Sequence, residues 1–234
     1  MVSHKHKTIF IHIPKAAGTS VERAFMEDLN IDMENRHSLL LGLSSNKTIG
    51  PKRISHLTAT QLVKGHYISE QIFKDYFKFA IVRNPYDRLY STYKFFHYNE
   101  YFSFDNFILK ILDRYLDSEH VHNYFLLPQV NYICNEKGDL LVDFIGKLEN
   151  LKNDFETVKS EIGFKTLELK HYNKSNRRLA YHALIRKMAD DFSHFRSFSF
   201  ARKRTRYLSY EAIEKINYIY SVDFEYFNYD KTYS

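Results

Sequence analysis

Apolar residues along this chain fall into two rhythms: short continuous runs, and longer stretches where they recur every three or four positions. The runs come first as strands. Thr8 to Ile13 is β-branched and aromatic, and Phe77 to Val82 is apolar on both faces, as inside a parallel sheet. Leu140 to Ile145 reads as a third strand, ended by Gly146, and Leu167 to Leu169 as a short fourth. Helical spacing occupies Val21 to Met26, Tyr86 to Phe96, residues 104–116, Val121 to Ile133 around Pro128, Leu151 to Ile162 and Ser209 to Tyr220. Thr58 to Leu62 adds a short helix, and Lys64 to Tyr67 a strand end or loop. Residues 173–206 are polar and basic, a loop or irregular helix, while the aromatic tail Asp223 to Tyr229 is expected to dock on the body.

Strands alternating with helices predict an α/β fold: a P-loop-type, three-layer arrangement with a central, mostly parallel sheet flanked by helices. No internal repeat or Pro/Gly/Ser-rich hinge divides the chain, so residues 1–234 are read as one domain.

Composition narrows the setting. The chain carries +6 net charge and a pI near 9.1, which suits an anionic partner without choosing one. A single cysteine, Cys134, allows no internal disulfide and no thiolate metal cluster. No stretch has the apolar length of a membrane span, and the basic, polar Met1 to Lys7 is no signal sequence. A cytoplasmic protein is expected. The 17% aromatic content is assigned no role.

The candidate chemistry begins after the first strand, at Pro14-Lys15-Ala16-Ala17-Gly18-Thr19-Ser20. A loop between a buried strand and a helix N-terminus gathers unpaired backbone N–H groups at the positive end of a helix dipole, a natural anion site. Small side chains let a phosphate approach the backbone, Gly18 is expected to permit the turn, Thr19 and Ser20 add hydroxyls, and Lys15 adds a full charge. Set beside G-x-x-x-x-G-K-[ST], the loop length fits, but Ile13 stands at the first glycine and the lysine has moved to the third loop position. An ordinary strand–loop–helix turn with a surface lysine is the competing reading.

The second strand ends in the same way. Arg83 lies at its carboxyl end, where open α/β sheets collect ligands, and arginine binds phosphate bidentately. Ser91 follows on the next helix and is placed to reach the same anion. Two anion sites on two strand ends suggest one ligand with phosphates at both ends of a ribose. Arg88 reads either as part of this site or as an ion-pair partner of Asp87 or Glu100.

The two motifs together resemble the carbohydrate sulfotransferases that use 3′-phosphoadenosine 5′-phosphosulfate (PAPS). Pro14 to Ser20 is similar to that family's phosphosulfate loop, and Arg83 to Tyr93 to its 3′-phosphate motif. Leu126 to Ile133, Val142 to Phe155, Asn173 to Ser175 and Tyr220 to Tyr229 resemble segments of the heparan 2-O- and chondroitin or dermatan 4-O-sulfotransferase branch and its bacterial relatives. The absent membrane anchor and disulfides set the chain apart from animal members and point to a soluble, bacterial-type enzyme.

The resemblance implies in-line transfer of a sulfuryl group from PAPS to a carbohydrate hydroxyl, releasing PAP. Lys15 would stabilise the leaving oxygen, Pro14 to Ser20 the phosphosulfate, and Arg83 and Ser91 the 3′-phosphate. Arg204 and Thr205, in the loop before the last helix, would close over the nucleotide, with Asn173 and Ser175 as similar candidates. A histidine suits the proton acceptor near neutral pH. His66 in Gly65-His66 holds the place of the family's base, His56 is the second candidate, and His12 is expected to pack within its strand. His120 and His122 face either the acceptor or solvent. No metal motif and no nucleic-acid-binding motif is present, so neither partner is expected. Two other readings stay open: an ATP-dependent P-loop kinase, and a silent relative that binds PAP or a polyanion. The sequence leaves the acceptor sugar and the oligomeric state undetermined.

Overall fold

A four-stranded sheet in the order β1 (Val2–Ser3), β2 (Thr8–Ile11), β3 (Phe77–Val82) and β4 (Phe144–Lys147) organises the computed structural model. It describes residues 1–44, 50–100, 102–116, 122–164, 166–169 and 206–233. The three strands β2, β3 and β4 are parallel, and β1 runs antiparallel along β2. The fold is therefore α/β with a mixed sheet flanked by helices.

Side chains alternate across β2 and β3. Ile9, Ile11, Ala80 and Val82 meet Leu57, Ala59 and Leu62 on one face. Phe10, Phe79 and Ile81 meet Val21, Phe25, Phe155 and Val158 on the other. The first face is covered by the helices α2 (Ala59–Lys64) and α3 (Glu70–Asp75). The second is covered by α1 (Gly18–Asp28) and the helix Leu151–Glu161. Thr58 and Gln61 form a reciprocal capping box on α2, which explains a stable helix of only six residues. A further cluster, rich in Tyr and Phe, joins α4 (Pro85–Phe95) to Phe104, Phe107, Tyr115, Phe125 and the C-terminal helices Tyr210–Ile219 and Ser221–Tyr226. The aromatic residues thus have a packing role. The tail docks as expected, with Phe224 and Phe227 buried.

Several elements differ from the sequence reading. Met1 to Lys7 is not merely polar: it supplies β1, and Met1 is buried with its carbonyl accepting from the Phe10 amide at 2.9 Å. The first strand stops at Ile11, two residues early, because the chain turns into the loop before Lys15. The last strand starts at Phe144 rather than Leu140. Leu140 instead bridges Cys134, and the Asp143 carboxylate accepts from the Lys78 amide at 2.7 Å. Gly146 lies inside this strand; a Cβ there would stand 2.7 Å from Ile81 Cδ1, so the glycine admits close strand packing. Residues 122–133 hold two short turns of helix, Asn123–Phe125 and Val130–Ile133, separated at Pro128. The 104–116 helix contains a π-helical turn at Phe107–Ile111, and Leu167 to Leu169 forms no strand.

Candidate active site

Parallel pairing of β2 with β3, in register from Thr8 opposite Phe77 to Ile11 opposite Ala80, brings both candidate loops to one sheet edge. They touch. Arg83 Nη1 donates to the Lys15 carbonyl at 3.4 Å, and Arg88 Nε donates to the Pro14 carbonyl at 3.1 Å. Arg88 is buried and also donates to Leu127 O at 2.9 Å and Phe125 O at 3.0 Å. It pairs with neither Asp87 nor Glu100. Asp87 instead takes Arg206, and Glu100 takes His97. Arg88 is a clamp on three backbone carbonyls, linking the first loop to the segment before Gln129.

The first loop is strained. Lys15 and Ala17 adopt left-handed φ values of 68° and 63°. Each such non-glycine residue costs on the order of 1–3 kcal/mol, a cost that concentrates at functional loops. Gly18 does not supply the turn's left-handed backbone, which falls on Lys15 and Ala17. Its need is space: a Cβ would stand 1.9 Å from His12 Nε2. No side chain caps α1; the Ser20 amide turns back to the Ala17 carbonyl at 2.9 Å, which leaves the Gly18 and Thr19 amides open at the loop where Ala16 and Ala17 leave the backbone bare. Thr19 is exposed and Ser20 half-buried at the same helix start. Pro14 is buried, and the ammonium of Lys15 lies 4.2 Å from the centre of the Phe95 ring.

The second loop is tied down. Gln129, fully buried, accepts from the Arg83 amide at 2.9 Å and donates to the Arg83 carbonyl at 2.8 Å. Asp223 accepts in turn from the Gln129 and Val130 amides at 2.8 and 3.0 Å. Asn84 caps α4 through the Tyr86 amide, with Pro85 in the first turn. Ser91 stands about two turns along α4, half-buried, and its hydroxyl bonds to no described residue. Arg206 reaches the same face of α4 at Asp87, one turn before Ser91.

Charge is left uncompensated at this edge. Among the described residues neither Lys15 nor Arg83 forms an ion pair. Asp87 and Glu149 act on Arg83 only at longer range, and Glu149 is already held by the Asn84 amide and the Tyr229 hydroxyl, each at 2.8 Å. Burial, then the positive charges of Arg83 and Lys94, bring the Lys15 ammonium from 10.5 down to about 8. Half-buried cations that repel one another and form no ion pair among the described residues suit a polyanion.

The histidines separate clearly. His56 is buried beside the loop: its ring is 4.4 Å from that of His12, and its Nδ1 donates to the His12 carbonyl at 3.4 Å. That bond leaves Nε2 as the basic nitrogen. Burial, then the neighbouring His12, push the His56 imidazole down to about 2. His12 lies just beyond its strand rather than within it, with Nδ1 2.6 Å from Glu22 Oε1. Burial alone raises the Glu22 carboxyl, but the charge and hydrogen bond of His12 outweigh it and hold it below the usual range. His66 is exposed, in a left-handed turn (φ 56°) past the far end of α2 from His56. His122 packs on Phe96. Arg204, Thr205, Asn173, Ser175 and His120 lie outside the described residues.

Sequence reasoning missed His12 with Glu22, Phe95, Gln129 and Arg206. For His12 a signal existed: a histidine immediately before the loop and a glutamate one turn into the following helix. The others meet the site only through the fold. Among the described residues no group of three or more His, Cys, Asp or Glu is arranged to hold a metal, and no helix is long and apolar enough to cross a membrane.

Two strand-end loops sharing an uncompensated cationic edge describe an anion-handling α/β protein. Residues 1–230 match the model of the Sulfotransferase family, and the chain belongs to that family. No curated protein and no solved structure matches it.

Proposed function

We propose that this protein transfers a sulfuryl group from PAPS to a carbohydrate hydroxyl, through a single domain of P-loop type. The observation that carries the reading is the contact between the Lys15 and Arg83 loops, whose two cations form no ion pair among the described residues, on adjacent parallel strand ends. Bound PAPS would supply the sulfuryl group and the phosphate oxygen that leaves with PAP. Pro14 to Ser20 would receive the phosphosulfate on the open amides of α1, and Arg83 and Ser91 the 3′-phosphate. Arg204 and Thr205 remain candidates for the nucleotide loop.

Lys15 neutralises charge that grows on the leaving oxygen as the S–O bond to phosphate breaks and the bond to the acceptor oxygen forms. The acceptor's proton passes to a histidine. The geometry favours His56, whose Nε2 is unprotonated and whose ring stands against His12 beside the loop. Burial and the neighbouring His12 hold the His56 imidazole down, and a polyanion bound nearby would act in the opposite direction. His66 is the base that the resemblance implies, and paired variants separate the two.

The test begins with binding. PAP should raise the melting temperature without metal, and ATP with Mg²⁺ should not; the reverse result supports the kinase reading. Labelled PAPS is then offered with an oligosaccharide panel. Transfer by wild type, lost in Lys15→Ala and His56→Ala but kept in His66→Ala, is the expected pattern. Loss in His66→Ala with His56→Ala unaffected would return the base to His66. PAP binding without transfer to any acceptor would favour the silent relative.

A further inference from the structure

An aromatic wall runs from Lys15 to His56. The Lys15 ammonium sits 4.2 Å from the Phe95 ring centre. Phe95 stacks on Phe125 at 5.2 Å and 27°, Phe125 meets Tyr124 at 4.6 Å, and Tyr124 stacks on His56 at 5.4 Å and 29°. The wall therefore joins the cation at the leaving oxygen to the imidazole proposed as proton acceptor. An acceptor hydroxyl placed in line between them has this surface beside it.

Phe95 is out of place for a structural aromatic. It closes α4, and its neighbours Phe96 and Phe125 are buried, yet Phe95 is 50% exposed. The part of its surface that meets neither Phe125 nor the Lys15 ammonium is open at the end of the helix. Tyr124 is half-buried, its carbonyl accepts from the Tyr132 hydroxyl, and its own hydroxyl bonds to no described residue. Arg53, exposed, acts electrostatically on both Tyr124 and His56. The surface thus offers the exposed aromatic area of Phe95 with a hydroxyl and cations near it.

That pattern matches a pyranose, which is apolar across its C–H face and polar around its edge. The negative face of an aromatic ring attracts such C–H groups, and the rim can meet hydroxyls. A wholly apolar alcohol would instead call for an enclosed pocket. We propose that the exposed part of the Phe95 ring and the Tyr124 hydroxyl form the acceptor subsite, Phe95 packing on one sugar ring and Tyr124 meeting its polar edge, so that a sugar hydroxyl lies between Lys15 and His56. The inference rests on the sulfotransfer reading and adds the residues that select the acceptor.

Saturation-transfer NMR tests it directly, with neutral oligosaccharides, acidic oligosaccharides and aryl alcohols as probes, on protein with and without PAP. Sugar ring protons should receive saturation from wild type. Phe95→Leu should weaken sugar affinity at least tenfold and Tyr124→Phe several-fold, while Phe95→Tyr keeps it; the melting temperature and PAP affinity of each should stay near wild type. In turnover, the loss should fall on the acceptor KM rather than kcat. Wild-type sugar affinity in Phe95→Leu would overturn the proposal, as would aryl alcohols binding in place of sugars, or no oligosaccharide binding wild type. Failure of PAP to bind would overturn the donor reading alone, because the sugar panel is also read on nucleotide-free protein.

Discussion

The loops after β2 and β3 look alike in sequence and differ in how they are held. The Arg83 loop has its backbone fixed on both sides by Gln129, which Asp223 fixes in turn, and its helix is capped by Asn84. The Lys15 loop has two left-handed residues, no side-chain cap on its helix and a lysine whose ammonium, among the described residues, rests on an aromatic face rather than in an ion pair. Its external support comes largely from the other motif, through Arg88 on Pro14 O and Arg83 on Lys15 O. One loop is the frame, and the other carries the lysine to which the proposed function gives the reacting charge. The strain and open donors of the second persist because the first over-determines them.

The frame should break hardest. Arg88→Met leaves three carbonyls without their donor, and denaturant unfolding should show a loss of about 3–5 kcal/mol, the scale for removing one partner of a buried charged network. A variant as stable as wild type would mean that Arg88 is not the clamp. Lys15→Ala should do the opposite: transfer falls roughly 10²–10³-fold, as for loss of one group that stabilises transition-state charge, while the midpoint of unfolding stays or rises. If Lys15→Ala unfolds the protein, the division between frame and reacting loop is wrong.

Gly18 sharpens the comparison at one atom. Gly18→Ala drives a methyl into the His12 ring and should cost on the order of 1–3 kcal/mol. His12→Ala should relieve much of that cost in the double variant, a coupling measured by a double-mutant cycle. Additive effects would show that the glycine is required by something other than the imidazole.

The smallest effect is set by pH. Burial and the nearby cations bring Lys15 to about 8, so its charged form opposes folding in full below pH 8. As pH rises from about 8 toward 10.5 the unfolded state holds more protons than the folded one, and stability rises with pH across that window. PAP affinity should run the other way, falling above pH 8 by no more than about tenfold per pH unit as the free lysine loses its proton. Calorimetry in buffers of different ionisation enthalpy should show proton uptake on binding near pH 8.5. Lys15→Arg should abolish both slopes.

Local chemistry made the two loops legible. Strand, small-residue turn and helix are consecutive, and the anion-binding property of such a turn belongs to its own backbone. Arg83 and Lys15 were therefore readable as a pair, and β3 was readable residue by residue because its run of apolar side chains is buried on both faces. The last strand was misplaced because Gly146 carries two opposite meanings, a strand end or a close packing contact, and only the neighbouring Ile81 chooses between them. Arg88 could not be assigned from its surroundings in the chain. Its acceptors lie 74, 39 and 37 positions away, and all are backbone carbonyls, which leave no mark on the sequence.

By itself, the order of residues determined the α/β alternation, the positive charge and the position of each anion loop, since hydrophobic periodicity and turn chemistry act over a few neighbours. Tertiary structure alone decided that these loops share an edge, that Arg88 braces three backbone carbonyls, that His56 packs on His12 while His66 is exposed past the far end of α2, and that Phe95 stays half exposed beside the Lys15 ammonium. Those outcomes depend on contacts between distant segments, where burial and the removal of competing water set which groups meet.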